Sequence, residues 1–145
     1  MEKIGYYQDH KMIWTCETLD KTDRVYMISF PGNGKYIGST GNIKKRFMGH
    51  VGAFEKNAHS NKKLQEAFDT YGRFELYELE KIAPGAGRTI REQFYIDILR
   101  PELNIAPAGL HYDSGLFFME ISNLIGKVPP FVCPHCGKAL NVKIE

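Results

Sequence analysis

No part of this chain is apolar for long. The longest apolar runs fall far short of the roughly 18 residues that a membrane-spanning helix requires, and the N-terminal Met1-Glu2-Lys3-Ile4-Gly5-Tyr6 has no apolar signal core. Neither a membrane protein nor a secreted one is expected; an intracellular, cytoplasmic location is. Cysteine is scarce, with three residues in all, two of them in one C-x-x-C. An odd number argues against a disulfide scaffold and suits a reducing compartment with a candidate metal knuckle. Charge of one sign is missing too: 19 Lys and Arg against 17 Asp and Glu leave +2. That balance is too mild to point to nucleic acid, so only local clusters can carry such a case. No internal repeat and no low-complexity tract is present.

What remains is an ordinary globular composition. With 145 residues, 43% apolar and 25% charged, the chain is one domain's worth and can bury a core. Its most organised stretch is Val25-Tyr26-Met27-Ile28, then Pro31-Gly32-Asn33-Gly34, then Lys35-Tyr36-Ile37-Gly38. Strand formers on both sides of an Asn-Gly link predict a β-hairpin over roughly 25–39 that presents two phenols. Ahead of it, residues 1–24 are polar apart from Met12-Ile13-Trp14 and read as an arm or an extra edge strand. Trp14 and Cys16 are expected to pack there, Cys16 being also a remote metal-ligand candidate.

Helix signals follow. Asn42 is an N-cap for a helix over 43–54, whose apolar stripe is Ile43, Phe47, Val51 and Phe54. Lys44, Lys45, Arg46 and His50 lie off that stripe, and Arg46 and His50, four apart, share a flank. Such a cluster is a solvated face or a binding surface, and the pattern alone leaves both open. A polar loop around Asn57–Asn61 precedes a helix over 62–71 that carries Leu64, Ala67, Phe68 and Tyr71 on one face, with Gly72 as its stop. Phe74–Glu80 alternates as a half-buried strand. A third helix over 89–99 is expected to bury Ile90, Phe94 and Ile98 with Tyr95 and Leu99, and Pro101 ends it. Glu92 in its first turn suits the helix dipole whatever else it does. The order β, β, α, α, β, α predicts an α/β sandwich: a three-stranded, mainly antiparallel sheet flanked by helices. Beyond 106 the pattern weakens to an apolar stretch over 116–125, a Pro129-Pro130 break and Cys133-Pro134-His135-Cys136. The expected layout is an arm over 1–23, a domain over 24–106 and an extension over 107–145.

Written out in order, these positions resemble the GIY-YIG nucleases, with the homing endonucleases of phages and introns as the nearest type. Val25-Tyr26-Met27 keeps only the tyrosine of the first family tripeptide, whereas Tyr36-Ile37-Gly38 keeps the second intact. Arg46 stands where the family has its helix arginine, and His50 matches a family histidine one turn later. His59, ahead of Asn61-Lys62-Lys63-Leu64, resembles a second histidine of the homing members, with a catalytic or a DNA-contacting role. Glu92 matches the metal-binding glutamate, and Asn104 in Pro101-Glu102-Leu103-Asn104-Ile105 the closing asparagine.

The resemblance implies a divalent-metal-dependent DNA endonuclease with Tyr26, Tyr36, Arg46, His50, Glu92 and Asn104 in the site. Hydrolysis of a phosphodiester needs an activated water, charge stabilisation at phosphorus and help for the leaving oxygen. Mg²⁺ (or Mn²⁺) is commonly held by one or two carboxylates plus water and phosphate, which gives Glu92 its role. A guanidinium at Arg46 can bind the non-bridging oxygens or orient the nucleophile. Tyr26 is the candidate general base or proton relay, its phenol, ordinarily near pKa ~10, needing cations nearby. His50 can pass the proton on or touch phosphate. Tyr36 is expected to orient water or substrate, and Asn104 to anchor the site by hydrogen bonding. Lys35, Lys44, Lys45, Lys62 and Lys63 are the expected phosphate contacts, which give affinity without sequence information.

The tail looks like half a zinc ribbon. Cys133 and Cys136 supply two of the four ligands Zn²⁺ takes, and His135, His111, His10, Cys16 or a second chain are candidates for the rest; a knuckle without metal is the other reading. A repair or restriction nuclease is the alternative within the same chemistry, and a non-catalytic nucleic-acid-binding module the alternative outside it. DNA is the expected partner; the sequence leaves the oligomeric state open, a monomer being one option.

Overall fold

Arg24–Ser29 and Lys35–Thr40 pair antiparallel, with Tyr26 opposite Gly38 and Ile28 opposite Tyr36. The link between them turns where Gly32 and Asn33 take positive φ values of 79° and 69°, the left-handed region that Gly and Asn tolerate best. This hairpin belongs to a computed structural model that describes residues 1–17 and 19–105. The 116–125 stretch, Cys133, Cys136, His111 and His135 lie outside the described residues.

In chain order the elements are β1 (Glu2–Gln8), β2 (Lys11–Trp14), β3 (Arg24–Ser29), β4 (Lys35–Thr40), α1 (Ile43–Glu55), α2 (Lys62–Tyr71), β5 (Phe74–Lys81) and α3 (Arg88–Leu99). The sheet order is β2-β1-β5-β3-β4, antiparallel throughout. Five strands therefore replace the three expected. The two extra strands come from the N-terminal residues, which are too charged to show a clear alternation. They reverse through Asp9 and His10, both at positive φ (51° and 61°), a tight reversal that the sequence announces with no glycine. Cys16 packs against the same core, its Sγ 3.8 Å from the carbonyl of Ile4.

β3 is the central element, and its side chains alternate between two cores. Tyr26 and Ile28 join Ile4, Tyr7, Phe47, Phe54, Leu64, Phe74 and Leu76 beneath α1 and α2. Val25 and Met27 join Ile37 and Ile82 on the other face, where Tyr95 and Ile96 of α3 pack. Val25 and Met27 are thus absorbed as buried packing against α3. β3 is tied to β5 and to the segment before it by the buried Arg24, whose Nε donates to Glu78 at 2.5 Å and whose Nη2 pairs with Asp20.

Caps fall where the residue types place them. The side chains of Asn42 and Asn61 accept the backbone N–H of Lys45 and Leu64, both at 3.1 Å, and Gly72 closes α2 in the left-handed region. The third helix departs from expectation. Phe94, Ile98 and Leu99 are exposed, because Tyr95 and Ile96 are the residues that meet the sheet. Short as it is, α3 lies against the β4 end of the sheet, and only one flank finds a partner there.

Candidate active site

β4 is an edge strand, and its free edge is occupied by a side chain. Asn104 accepts the N–H of Ile37 and donates to the C=O of Ile37, both at 2.9 Å. One amide thus does what a neighbouring strand would do, and Leu103 adds an N–H to the carbonyl of Lys35 at 3.0 Å. This clamp fixes the backbone that bears Tyr36 and Ser39. Those two residues point to opposite faces of the sheet, Tyr36 toward α1 and Ser39 toward α3.

A polar cleft of about 450 Å³ wraps this edge. Arg46 reaches it from α1, Arg88, Thr89 and Glu92 from the first turns of α3, and Asn61 from the start of α2, joining Tyr36, Ser39, Thr40 and Asn104. Sequence reasoning brought Tyr36, Arg46, Glu92 and Asn104 here but missed Ser39, Asn61 and Arg88. Ser39 donates its hydroxyl to Glu92, and a residue directly after an intact Tyr-Ile-Gly was the available signal for it. Nothing local distinguished Arg88 from other surface arginines.

Tyr26 and His50 stand behind this wall. Tyr26 is 0% exposed and His50 6%, so the two phenols of the hairpin are not equally presented: Tyr36 lines the cleft and Tyr26 is buried. The Tyr26 oxygen receives the Nε–H of Arg46 at 3.3 Å and lies 3.0 Å from His50 Nε2. His50 Nδ1 is 2.8 Å from Nε2 of His59, whose Nδ1 takes the backbone N–H of Asn61 at 3.1 Å. His59 is itself buried, leaving no nitrogen free to contact a phosphate. His50 belongs to the core beside Phe47 and Phe54, not to the solvated flank of α1.

Burial is the largest influence on the ionisation of the two tyrosines, the two histidines and Glu92. It pushes the Tyr26 phenol well above its ordinary range, with Tyr36 adding and Arg46 opposing. Tyr36 is raised by burial as well, again against the pull of Arg46. His50 falls to about 3 through burial, then through the charge of Arg46 and the proximity of His59, and burial lowers His59 too. Both imidazoles are therefore neutral near pH 7. Glu92 is raised by burial, which the hydroxyl of Ser39 and the charge of Arg46 only partly offset.

That Glu92 environment suits a hard cation. The carboxylate is desolvated beyond what its neighbours compensate, and the cleft around it is lined by oxygen donors (Ser39, Thr40, Thr89). Among the described residues no three His, Cys, Asp or Glu side chains gather into a metal cluster. A cation held here would have Glu92 as its one carboxylate from the cleft lining and would need water and a phosphate for its other positions, a common arrangement for Mg²⁺. The five lysines sit outside the cleft: Lys44, Lys45, Lys62 and Lys63 are on α1 and α2, and Lys35 is half-buried at the start of β4.

A small α/β sandwich with paired tyrosines, a helix arginine and a lone carboxylate around one sheet edge defines a class of catalytic domain. Residues 24–104 match the model of the GIY-YIG catalytic domain, and the chain belongs to that family. It is 37% identical over 83 residues to intron-associated endonuclease 1 of Enterobacteria phage T4, an alignment spanning 55% of this chain and 34% of that protein. The chain thus spans about a third of the length of this curated relative. The catalytic domain of the intron endonuclease I-TevI, solved as a mutant, superposes with a TM-score of 0.55 at 33% identity, covering 60% of this chain and 96% of that domain. No described helix is long and apolar enough to cross a membrane.

Proposed function

We propose that this protein is a divalent-metal-dependent DNA endonuclease of the homing type, hydrolysing phosphodiester bonds at the β4 edge. The observation that carries the reading is the convergence of Tyr36, Arg46 and Glu92 on one polar cleft, supported by the likeness to an intron endonuclease in both sequence and structure. Glu92 is the residue that would hold Mg²⁺ or Mn²⁺, oriented by the Ser39 hydroxyl. Such an ion, when bound, supplies Lewis-acid stabilisation of charge developing on the phosphate.

The chain's own groups do the rest. Arg46, planar and permanently charged, binds the non-bridging oxygens of the scissile phosphate. It is also the resident cation that favours ionisation of both phenols. One phenol of the tyrosine pair, Tyr36 at the cleft wall or Tyr26 behind it, must first ionise beside Arg46, and that phenolate then accepts the proton of the attacking water. Asn104 holds the strand on which Tyr36 and Ser39 stand, a positioning role. Arg88 gives the cleft a second guanidinium for the DNA backbone. The lysines of α1 and α2 extend this basic surface, and a zinc-binding knuckle at Cys133 and Cys136 would add DNA affinity outside the catalytic domain.

Plasmid incubated with the full chain and Mg²⁺ tests the reading. Nicked or linear product from the wild type and none from Glu92→Ala is expected. A wild type that binds DNA and cuts no substrate would favour the binding module instead.

A further inference from the structure

The chain of four groups behind the cleft can carry its hydrogens in two directions, and they have opposite chemical meanings. In one, the Tyr26 hydroxyl donates to His50 Nε2, His50 Nδ1–H donates to His59, and His59 Nδ1–H donates to the carbonyl of Asn61 at 3.3 Å. His50 is then a base waiting for the tyrosine proton. In the other, every hydrogen points the opposite way, and His50 presents an N–H to the phenol oxygen. A single backbone group separates the two.

The Asn61 amide is a donor in every protonation state, and it reaches His59 Nδ1 at 3.1 Å. A hydrogen on Nδ1 would face that amide hydrogen and leave it without an acceptor, a buried penalty of about 1–3 kcal/mol. The Asn61 carbonyl gains nothing essential from the reversed arrangement, because it already accepts the N–H of Gln65 at 3.1 Å. Nδ1 of His59 therefore carries the lone pair, and a neutral ring places its hydrogen on Nε2. Across the 2.8 Å contact that hydrogen goes to His50 Nδ1, which puts the hydrogen of His50 on Nε2, aimed at Tyr26.

The mounting is rigid. The buried Gln65 accepts the N–H of His59 at 3.2 Å and donates to the carbonyl of Phe54 at 3.1 Å and to Asp69 at 2.9 Å. The two imidazoles lie nearly parallel, 9° apart, with Phe54 against the outer ring at 4.7 Å.

We infer that Asn61, His59 and His50 form a hydrogen-bond chain of fixed polarity ending on the Tyr26 oxygen, in which His50 is a donor and not the acceptor of the tyrosine proton, and His59 is the positioning residue that sets this. With N–H groups from His50 and Arg46 on its oxygen, Tyr26 has its own hydrogen left to donate, and Tyr36 lies on the cleft side. With one of the two phenols ionised beside Arg46, a proton taken from water in the cleft fills that phenolate and does not pass inward, because His50 Nε2 already carries its hydrogen. The catalytic half of this inference rests on the nuclease reading; the polarity does not.

Long-range ¹H–¹⁵N correlation spectra of the histidine rings in the full chain at neutral pH decide the polarity, the two buried rings being identified by single substitutions of His10, His111 and His135. Nε2–H tautomers at both His50 and His59 are expected. Nδ1–H at His50, or a doubly protonated ring at either position, overturns the inference. The catalytic half is read from cleavage rate and DNA affinity together. His59→Ala should cut about 10–100-fold more slowly, the range typical of groups that orient a reacting one, at unchanged affinity. His59→Gln, whose amide N–H reaches the Nε2 position, should recover most of the rate. A fully active His59→Ala, or a folded His59→Gln as slow as the alanine variant, overturns the positioning role. If the wild type cuts no DNA, the nuclease reading and the catalytic half fall together, while the tautomers still decide the polarity.

Discussion

The phenol of Tyr26 lies across the backbone of Gly38, its partner on the neighbouring strand. A Cβ at position 38 would sit 2.6 Å from the Tyr26 oxygen and 2.7 Å from its Cζ, with the Tyr36 ring 3.2 Å away. Backbone φ plays no part here: the glycine is required by space. The Tyr-Ile-Gly tripeptide is thus a geometric unit, with Tyr36 and Gly38 on the same face and the second tyrosine laid over the gap between strands.

Gly38→Ala should therefore act as a site mutation delivered through the fold. The Tyr26 ring must tilt away from the added methyl, and its oxygen leaves the reach of His50 and Arg46. Overpacking of this kind costs about 1–3 kcal/mol, well within what a domain of this size survives. Cleavage should fall as far as it does on removal of the Tyr26 hydroxyl itself, and thermal melting should show a folded protein. An alanine variant with wild-type activity would mean that the Tyr26 oxygen has no fixed position to lose.

Tyr26→Phe isolates the hydroxyl. The ring still fills the core under Phe47, but His50 and Arg46 lose the oxygen they meet at 3.0 and 3.3 Å. Cleavage should drop by roughly 10²–10⁴, the range of proton-transfer contributions, while DNA affinity measured by fluorescence anisotropy stays constant. A rate within a few-fold of wild type would remove Tyr26 from the chemistry.

The sequence made the helices, their caps and the central hairpin legible because each carries a local signal: Asn42, Asn61 and Gly72 do their work within a turn of where they stand. The family resemblance that their order carries, and not any local signal, put Tyr36, Arg46, Glu92 and Asn104 in one place. Three things were illegible for physical reasons. Strands β1 and β2 alternate weakly, and the pairing of β1 with β5 joins residues far apart in the chain (Glu2 with Glu78). The exposed Phe94 and Ile98 follow from how α3 lies on the sheet, which periodicity does not reveal. The burial of His50 and His59 could not be read from residue type, since a histidine beside Lys44, Lys45 and Arg46 looks like one more basic surface group.

Those buried histidines make stability depend on pH. His50 has a folded-state value of about 3 against an ordinary 6.5. Between those limits the unfolded chain binds a proton that the folded chain refuses. Stability is thus fully present above about pH 6.5 and is lost as pH falls toward 3. The slope for one such group is about 1.4 kcal/mol per pH unit, so about 2 kcal/mol should disappear between about pH 6.5 and about pH 5, with His59 adding in the same direction. Urea midpoints across this interval should fall in the wild type and fall less in His50→Gln. A wild-type midpoint that stays level down to about pH 5 would show that His50 titrates normally.

The last expectation separates binding from cutting. Lys44 and Lys45 stand on the exposed side of α1, away from the cleft, whereas Arg88 lines it. Removing one side chain that neutralises a duplex phosphate reduces the steepness of log K against log salt by about 0.9, and truncating a lysine on the outer surface does only that. The double variant Lys44→Ala, Lys45→Ala should bind DNA with a slope shallower by about 2 and cleave at the normal rate once DNA is saturating. Arg88→Ala should lower the slope by about one unit and also cut more slowly at saturation, because its guanidinium shares the cleft with Arg46 and Glu92. Anisotropy titrations over a series of KCl concentrations, paired with single-turnover cleavage, give both quantities for each variant. Salt-independent binding by the wild type would rule out this face as the DNA surface, and an Arg88→Ala variant that cuts at the full rate would reduce Arg88 to one more outer phosphate ligand.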